Sequence, residues 1–295
     1  MRRRVFRRTV GDRRPDAAGT PSDGAGAPPA PDAVGAPGCL TLRGVGVTVA
    51  APTGEERTLL HLTSLRITEH RVALIGSNGQ GKTTLLRCIA RLTAPTTGTV
   101  EVDGDASVAA ARERIGFVFA DTAAQLIMPT VGEDIELSLR RLQLGRRERA
   151  ERADALLSRA GLEGFGPRSV HELSGGERQL VALTGVLATQ PSWVLADEPT
   201  AALDLVNRHR VVRALADAPA HVLVATHDLD LAADCDRVLW VHDGRVVADG
   251  KPAALIERYR ACAAGERPWP DVDVEPGVDT AEAAGSMSSM GGAGA

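Results

Sequence analysis

Nowhere in the 295 residues do about eighteen apolar residues run together, so no stretch reads as a bilayer-crossing helix and any membrane role is expected to run through a partner. Cysteine is scarce. Cys39, Cys88, Cys235 and Cys262 stand far apart with no CxxC pair, which argues against a disulfide framework or a zinc site and for a reducing compartment. Positive charge is not in excess either: a net charge of −4 and a pI near 6.0 leave no basic field of the kind nucleic acid attracts, and no nucleic-acid partner is expected. Residues 2–14 carry seven arginines, yet no apolar stretch follows them as an export signal would require. Such a cluster is suited to anionic lipid head groups. Blocks of like charge are more often solvated extensions, and this one is read so.

From Pro15 to Gly38, 18 of 24 residues are Ala, Gly or Pro, a composition that buries too little apolar surface to offset the entropy of ordering. Residues 1–38 are therefore read as a disordered leader, 39–265 as the folded domain, and 266–295, rich in Pro, Gly, Ser, Ala and acids, as a disordered tail. Leu40–Val49 and Leu59–Ile67 suggest antiparallel strands opening the domain. Short apolar strands then precede glycine or acidic turns: Val72–Ile75 before Gly76, Trp193–Ala196 before Asp197, Val222–Ala225 before His227. That alternation predicts an α/β domain on a mainly parallel sheet. Val131, Ile135, Leu139 and Leu142 fall at helical spacing, so a helical insertion is expected over about 125–175. Val238–Val241, the Asp243-Gly244 turn and Arg245–Ala248 read as a closing hairpin.

Three constellations carry chemistry. Gly76-Ser77-Asn78-Gly79-Gln80-Gly81-Lys82-Thr83 matches GxxxxGK[ST] between a strand and a helical pattern, the context in which backbone N–H groups curl around phosphates. Lys82 suits the β- and γ-phosphates of ATP, and the Thr83 hydroxyl suits Mg2+. Trp193–Ala196 ends in Asp197 and Glu198. Asp197 suits the magnesium shell, and Glu198 stands one residue on as a candidate base for the attacking water. His227, after a third strand, can hydrogen-bond the γ-phosphate or that water. Leu173-Ser174-Gly175-Gly176-Glu177 precedes an apolar helical pattern and forms a second anion-binding helix start, which makes most sense if it serves the nucleotide of a neighbouring subunit.

GSNGQGKTT, LSGGERQ, VLADEPT and ATHD, in that order, resemble the ATP-binding-cassette family across the whole of 40–265. The resemblance implies a P-loop NTPase with a RecA-like core, antiparallel N-terminal strands, a helical subdomain, and a head-to-tail dimer closing on two ATP molecules. By residue it assigns Gly76 through Thr84 to ATP, Thr83 and Asp197 to Mg2+, Ser174, Gly175, Gly176 and Glu177 to the partner's nucleotide, and Lys82, Glu198 and His227 to hydrolysis. Gly116-Phe117-Val118-Phe119, then Gln125-Leu126-Ile127-Met128-Pro129-Thr130-Val131-Gly132-Glu133-Asp134, is similar to energy-coupling-factor and cobalt/nickel uptake ATPases. Thr68–Arg71 and Asp204–Asn207 most resemble the biotin-type branch. An importer at the cytoplasmic face of the membrane is thus implied, with a second cassette subunit, a transmembrane scaffold and a substrate-binding membrane subunit as partners. The alternative is a soluble cassette ATPase acting on nucleic acid or ribosomes. Against it, Lys82 and Ser174 are 92 positions apart, too close for a long coiled coil, and only one cassette is present. Departures from the family pattern are Ala120 where glutamine is usual, Gln125 five residues later, Ala201 where serine is common, and no aromatic near Val49–Pro52 where adenine often stacks.

Overall fold

The computed structural model describes residues 38–50 and 54–270; the leader up to residue 37 and the tail from 271 lie outside the described residues. β1 (Leu40–Ala50) and β2 (Glu56–Ile67) pair antiparallel, and β1 also pairs antiparallel with β4 (Thr97–Val102), giving a three-stranded sheet β2-β1-β4. The second sheet runs β5-β6-β7-β3-β8-β9. Its strands are β3 (Arg71–Ile75), β5 (Ile115–Val118), β6 (Trp193–Asp197), β7 (His221–Ala225), β8 (Arg237–His242) and β9 (Arg245–Gly250). The first five in spatial order are parallel, and β9 returns antiparallel through the Asp243-Gly244 turn. The α/β class, the mainly parallel core, the antiparallel opening strands and the hairpin are all as the sequence predicts.

Successive side chains point to opposite faces, and both faces of this parallel sheet are covered, so every residue of β3 and β6 is buried. Val72, Leu74, Leu195, Leu223 and Leu239 pack with the three-stranded sheet and with Leu85, Leu86 and Ile89 of α1 (Lys82–Ile89). Ala73, Ile75, Val194, Val222, Val224 and Trp240 face the other way, into a core shared with most of the remaining helices. α2 (Val108–Arg114) leads into β5. The predicted insertion contains α3 (Val131–Ser138), a 3-10 turn over Leu139–Leu142 and α4 (Arg146–Arg159). α5 (Gly175–Ala188), α6 (Leu205–Asp217), α7 (Leu229–Ala233) and α8 (Pro252–Ala263) complete the helices. α3 starts with a capping box between Thr130 and Glu133, and Asp134 Oδ1 accepts from Ile127 and Met128 N–H at 2.9 and 3.1 Å. The Thr130–Asp134 motif thereby fixes the turn before its own helix.

Residues 266–270, assigned to the tail by composition, are described. Trp269 stacks on His242 at 5.3 Å and meets Trp240 and Tyr259 edge-on. No described helix is long and apolar enough to cross a membrane.

Candidate functional site

β6, β7 and β3 are consecutive neighbours, so the residues leaving their carboxyl ends converge: Glu198 after β6, Thr226 and His227 after β7, Gly76 after β3. Gly76 has φ +148°, and a Cβ there would stand 2.2 Å from Val241 O, so only glycine lets the chain turn off β3 this close to β8. The loop then runs to Gly81, which precedes α1 with no side-chain cap, leaving the first-turn N–H groups open to an anion. Gln80 instead turns its side chain to the hairpin: its Oε1 accepts from Asp243 N–H at 2.5 Å, and its backbone carbonyl accepts from Gly244 N–H at 2.9 Å. Tyr259 Oη lies 3.5 Å from Ser77 Oγ.

Lys82 is 5% exposed and donates to Gly76 O and Ser77 O at 2.8 and 3.1 Å, so the ammonium lies along the loop. Thr83 Oγ1 donates to Asp197 Oδ1 at 3.0 Å, and burial pushes the Asp197 carboxyl above the usual carboxylate range, opposed in part by that hydrogen bond. Glu198 has φ +46°, a strained left-handed conformation for a non-glycine residue, and is held there by its N–H donating to Ala225 O at 2.8 Å. Its Oε2 accepts from His227 Nδ1 at 2.7 Å and His227 N–H at 3.2 Å. That contact makes Nδ1 the protonated nitrogen and leaves Nε2 outward. Glu198 Oε1 is 3.5 Å from Lys82 Nζ, an ion-pair distance, yet it is buried and makes no hydrogen bond.

The signature residues stand elsewhere. Ser174 caps α5 in a capping box: its Oγ accepts from Glu177 N–H at 3.3 Å, and Glu177 Oε2 accepts from Ser174 N–H at 2.7 Å, holding that carboxyl below the usual range. Arg168 bridges Glu177 at 3.3 Å. Among the described residues no hydrogen bond or ion pair joins 174–177 to the phosphate loop or to Asp197 and Glu198. The structure thus brings Lys82, Thr83, Asp197, Glu198 and His227 together and leaves Ser174, Gly175, Gly176 and Glu177 apart from them. Gln125 closes the end of β5, accepting from Phe119 N–H at 3.1 Å and donating to Phe117 O at 3.2 Å, so its amide is committed there and does not replace the missing amide at Ala120.

Sequence reasoning missed Arg208 and its pairing with Asp228, the residue that ends the ATHD motif. Arg208 Nε and Nη2 lie 2.7 and 2.6 Å from Asp228 Oδ2, beside His227. The available signal was Asp228 itself, a capping residue ahead of the apolar start of α7.

Residues 62–201 match the ABC transporter family. The biotin transport ATP-binding protein BioM of Rhizobium etli is 45% identical over 210 residues, 70% of this chain and 94% of that protein. The cobalt import ATP-binding protein CbiO of Syntrophus aciditrophicus is 38% identical over 213 residues, 69% of this chain and 76% of that protein. Among solved structures, the ATP-binding cassette MJ0796, a post-hydrolysis dimer bound to ADP and Pi, matches with a TM-score of 0.66 at 32% identity, over 72% of this chain and 98% of that one. A cbiO1 from Clostridium perfringens, part of the ABC transporter complex cbiONQ, matches with a TM-score of 0.65 at 28% identity, over 78% and 95%. The chain belongs to the ABC transporter family. It is an ATP-binding cassette and an ATPase.

Proposed function

We propose that the chain is the ATP-hydrolysing subunit of an energy-coupling-factor-type importer, working in pairs at the cytoplasmic face of the membrane. Its partners are a second cassette, a transmembrane scaffold and a substrate-binding membrane subunit. The cargo is a vitamin, biotin before cobalt or nickel. Similarity to two BioM proteins, at 45% and 39% identity, supports that order. The segment from Phe119 to Gly132, with Ile127 70% exposed at its tip, is the face offered to the membrane subunits.

One observation carries the hydrolytic reading: Glu198 is strained between Lys82 and His227 with a buried oxygen left without a hydrogen bond. A water held against the Glu198 carboxylate once nucleotide has drawn Lys82 to the phosphates is polarised by it and oriented for attack on the γ-phosphorus. Glu198 takes the water's proton as the new P–O bond forms and the bond to ADP breaks. His227, held by Glu198 through Nδ1, turns Nε2 toward the γ-phosphate. Lys82 and the loop N–H groups of 76–83 bind the phosphates, with Thr84 next in line on α1. Thr83 and Asp197, hard oxygen donors already in contact, fit Mg2+, which when bound neutralises phosphate charge and relieves the buried Asp197 carboxylate. Ser174 to Glu177 crown a helix start for the neighbour's nucleotide.

The test is uptake of labelled biotin by cells carrying the chain with its co-purified membrane subunits, beside cobalt uptake in the same cells. Biotin accumulation lost with Lys82→Ala supports the reading. Accumulation that ignores Lys82, or recovery of only soluble or ribosomal partners from membranes, overturns it.

A further inference from the structure

We infer that Arg208 of α6 is a positioning residue that holds His227 in place and links it to the helix start meeting the signature. The inference rests on the assignment of Glu198 and His227 to the γ-phosphate. Arg208 places two short charge-assisted bonds on one oxygen of Asp228, at 2.7 and 2.6 Å. Their side chains are 31% and 16% exposed, sheltered enough that solvent screens the pair less than an open surface ion pair. Asp228 is tied on its other sides as well. Its Oδ1 accepts from Asp230 and Leu231 N–H at 3.2 and 3.1 Å, and its own N–H donates to Thr226 Oγ1 at 3.0 Å. Thr226 N–H in turn donates to Leu74 O of β3 at 3.0 Å. His227 lies between these two fixed residues with a side chain 61% exposed, so its direction comes from its anchored neighbours and from Glu198, not from packing.

The same turn of α6 reaches the signature. Asp204 caps α6, accepting from Val206 and Asn207 N–H at 2.9 Å each, and Asn207 Nδ2 donates to Asp204 Oδ2 at 2.7 Å. The Asn207 side chain packs so closely on Gly176 that a Cβ there would stand 2.4 Å from Nδ2. Arg208 N–H donates to Asp204 O at 2.8 Å. One helical turn therefore touches Gly176 through Asn207 and the neighbour of His227 through Arg208. The route from the signature to His227 therefore runs through the packing of Asn207 on Gly176, the hydrogen bonds of the α6 start, the Arg208–Asp228 pair and the peptide bond from Asp228 to His227. Glutamine at 208 removes the charge. Lysine keeps it and loses the planar fork.

Steady-state and single-turnover ATP hydrolysis by the full chain, with thermal melting alongside, tests this in Arg208→Gln, Arg208→Lys, His227→Ala and the Arg208→Gln/His227→Ala double variant. Arg208→Gln should lower kcat about tenfold with KM for ATP within about twofold, the lysine variant recovering part of the loss. On the His227→Ala background it should add no further loss, because its effect passes through that imidazole. A loss that multiplies with that of His227→Ala, a raised KM at unchanged kcat, or a fall in melting temperature that accounts for the lost rate overturns the inference. If Glu198→Gln and His227→Ala both retain full kcat, the site assignment itself falls. If they lose it and Arg208→Gln does not, only the role of Arg208 falls.

Discussion

Glu198→Gln is a near-isosteric change at the centre of the proposed chemistry. The amide oxygen can still accept from His227, whose N–H and Nδ1 stand at 3.2 and 2.7 Å, and the backbone bond to Ala225 O is untouched, so the left-handed conformation persists. What disappears is the negative charge 3.5 Å from Lys82 Nζ and the basicity of the buried Oε1. A positioned general base contributes about 10²–10⁴ in rate. The variant should lose kcat by that factor, about 2.7–5.4 kcal/mol of transition-state stabilisation. No phosphate-binding group is altered, so KM for ATP should move less than about threefold. Phosphate release under steady state gives both constants, and gel filtration with ATP reports the closed pair that should accumulate when hydrolysis stalls. A kcat within about threefold of the parent would remove Glu198 from the chemistry and leave its strained backbone without a purpose.

Asp197→Asn should raise the melting temperature of the nucleotide-free chain. Its carboxyl is pushed up by burial, so the folded state binds that proton more tightly than the unfolded chain, a stabilisation present at low pH and lost as pH rises through the folded value. The advantage of Asn should therefore grow from about pH 4 toward neutrality, and a gap that is flat with pH contradicts the assignment. Ser174→Ala should cost about 1 kcal/mol in urea unfolding, the worth of a cap, and a much larger loss would mean that Ser174 holds more than its helix. Trp269→Ala should cost about 1–2 kcal/mol, because a ring 40% exposed gives up three aromatic contacts but no sealed core position, and no measurable change would place 266–270 outside the folded domain. Ile127→Asp should leave the melting temperature unchanged while cutting cellular uptake, since that side chain is 70% exposed; unchanged uptake removes it from the partner face.

How much was legible follows from the range of the interactions. The phosphate loop, the strand-end acids, His227 and the helix start at Ser174 are local: a few residues decide each turn, and strand periodicity decides which end of the sheet the first three occupy. Contacts that depend on sheet order were not legible. Gln80 reads as one more residue of the loop, yet its side chain is spent on Asp243, 163 positions away, because β3 and β8 are neighbours. Trp269 sits in a composition that signals a tail, and only the fold brings His242, Trp240 and Tyr259 to meet it. Gln125 shows the limit within a motif: its amide turns back on Phe117 and Phe119 and closes a strand end. Ala120, exposed beside it, therefore has no substitute from that side chain. On the proposed reading, coupling of hydrolysis to a membrane partner through 119–132 then draws on other groups of that segment, the 70% exposed Ile127 among them, and the loss of uptake expected for Ile127→Asp tests this.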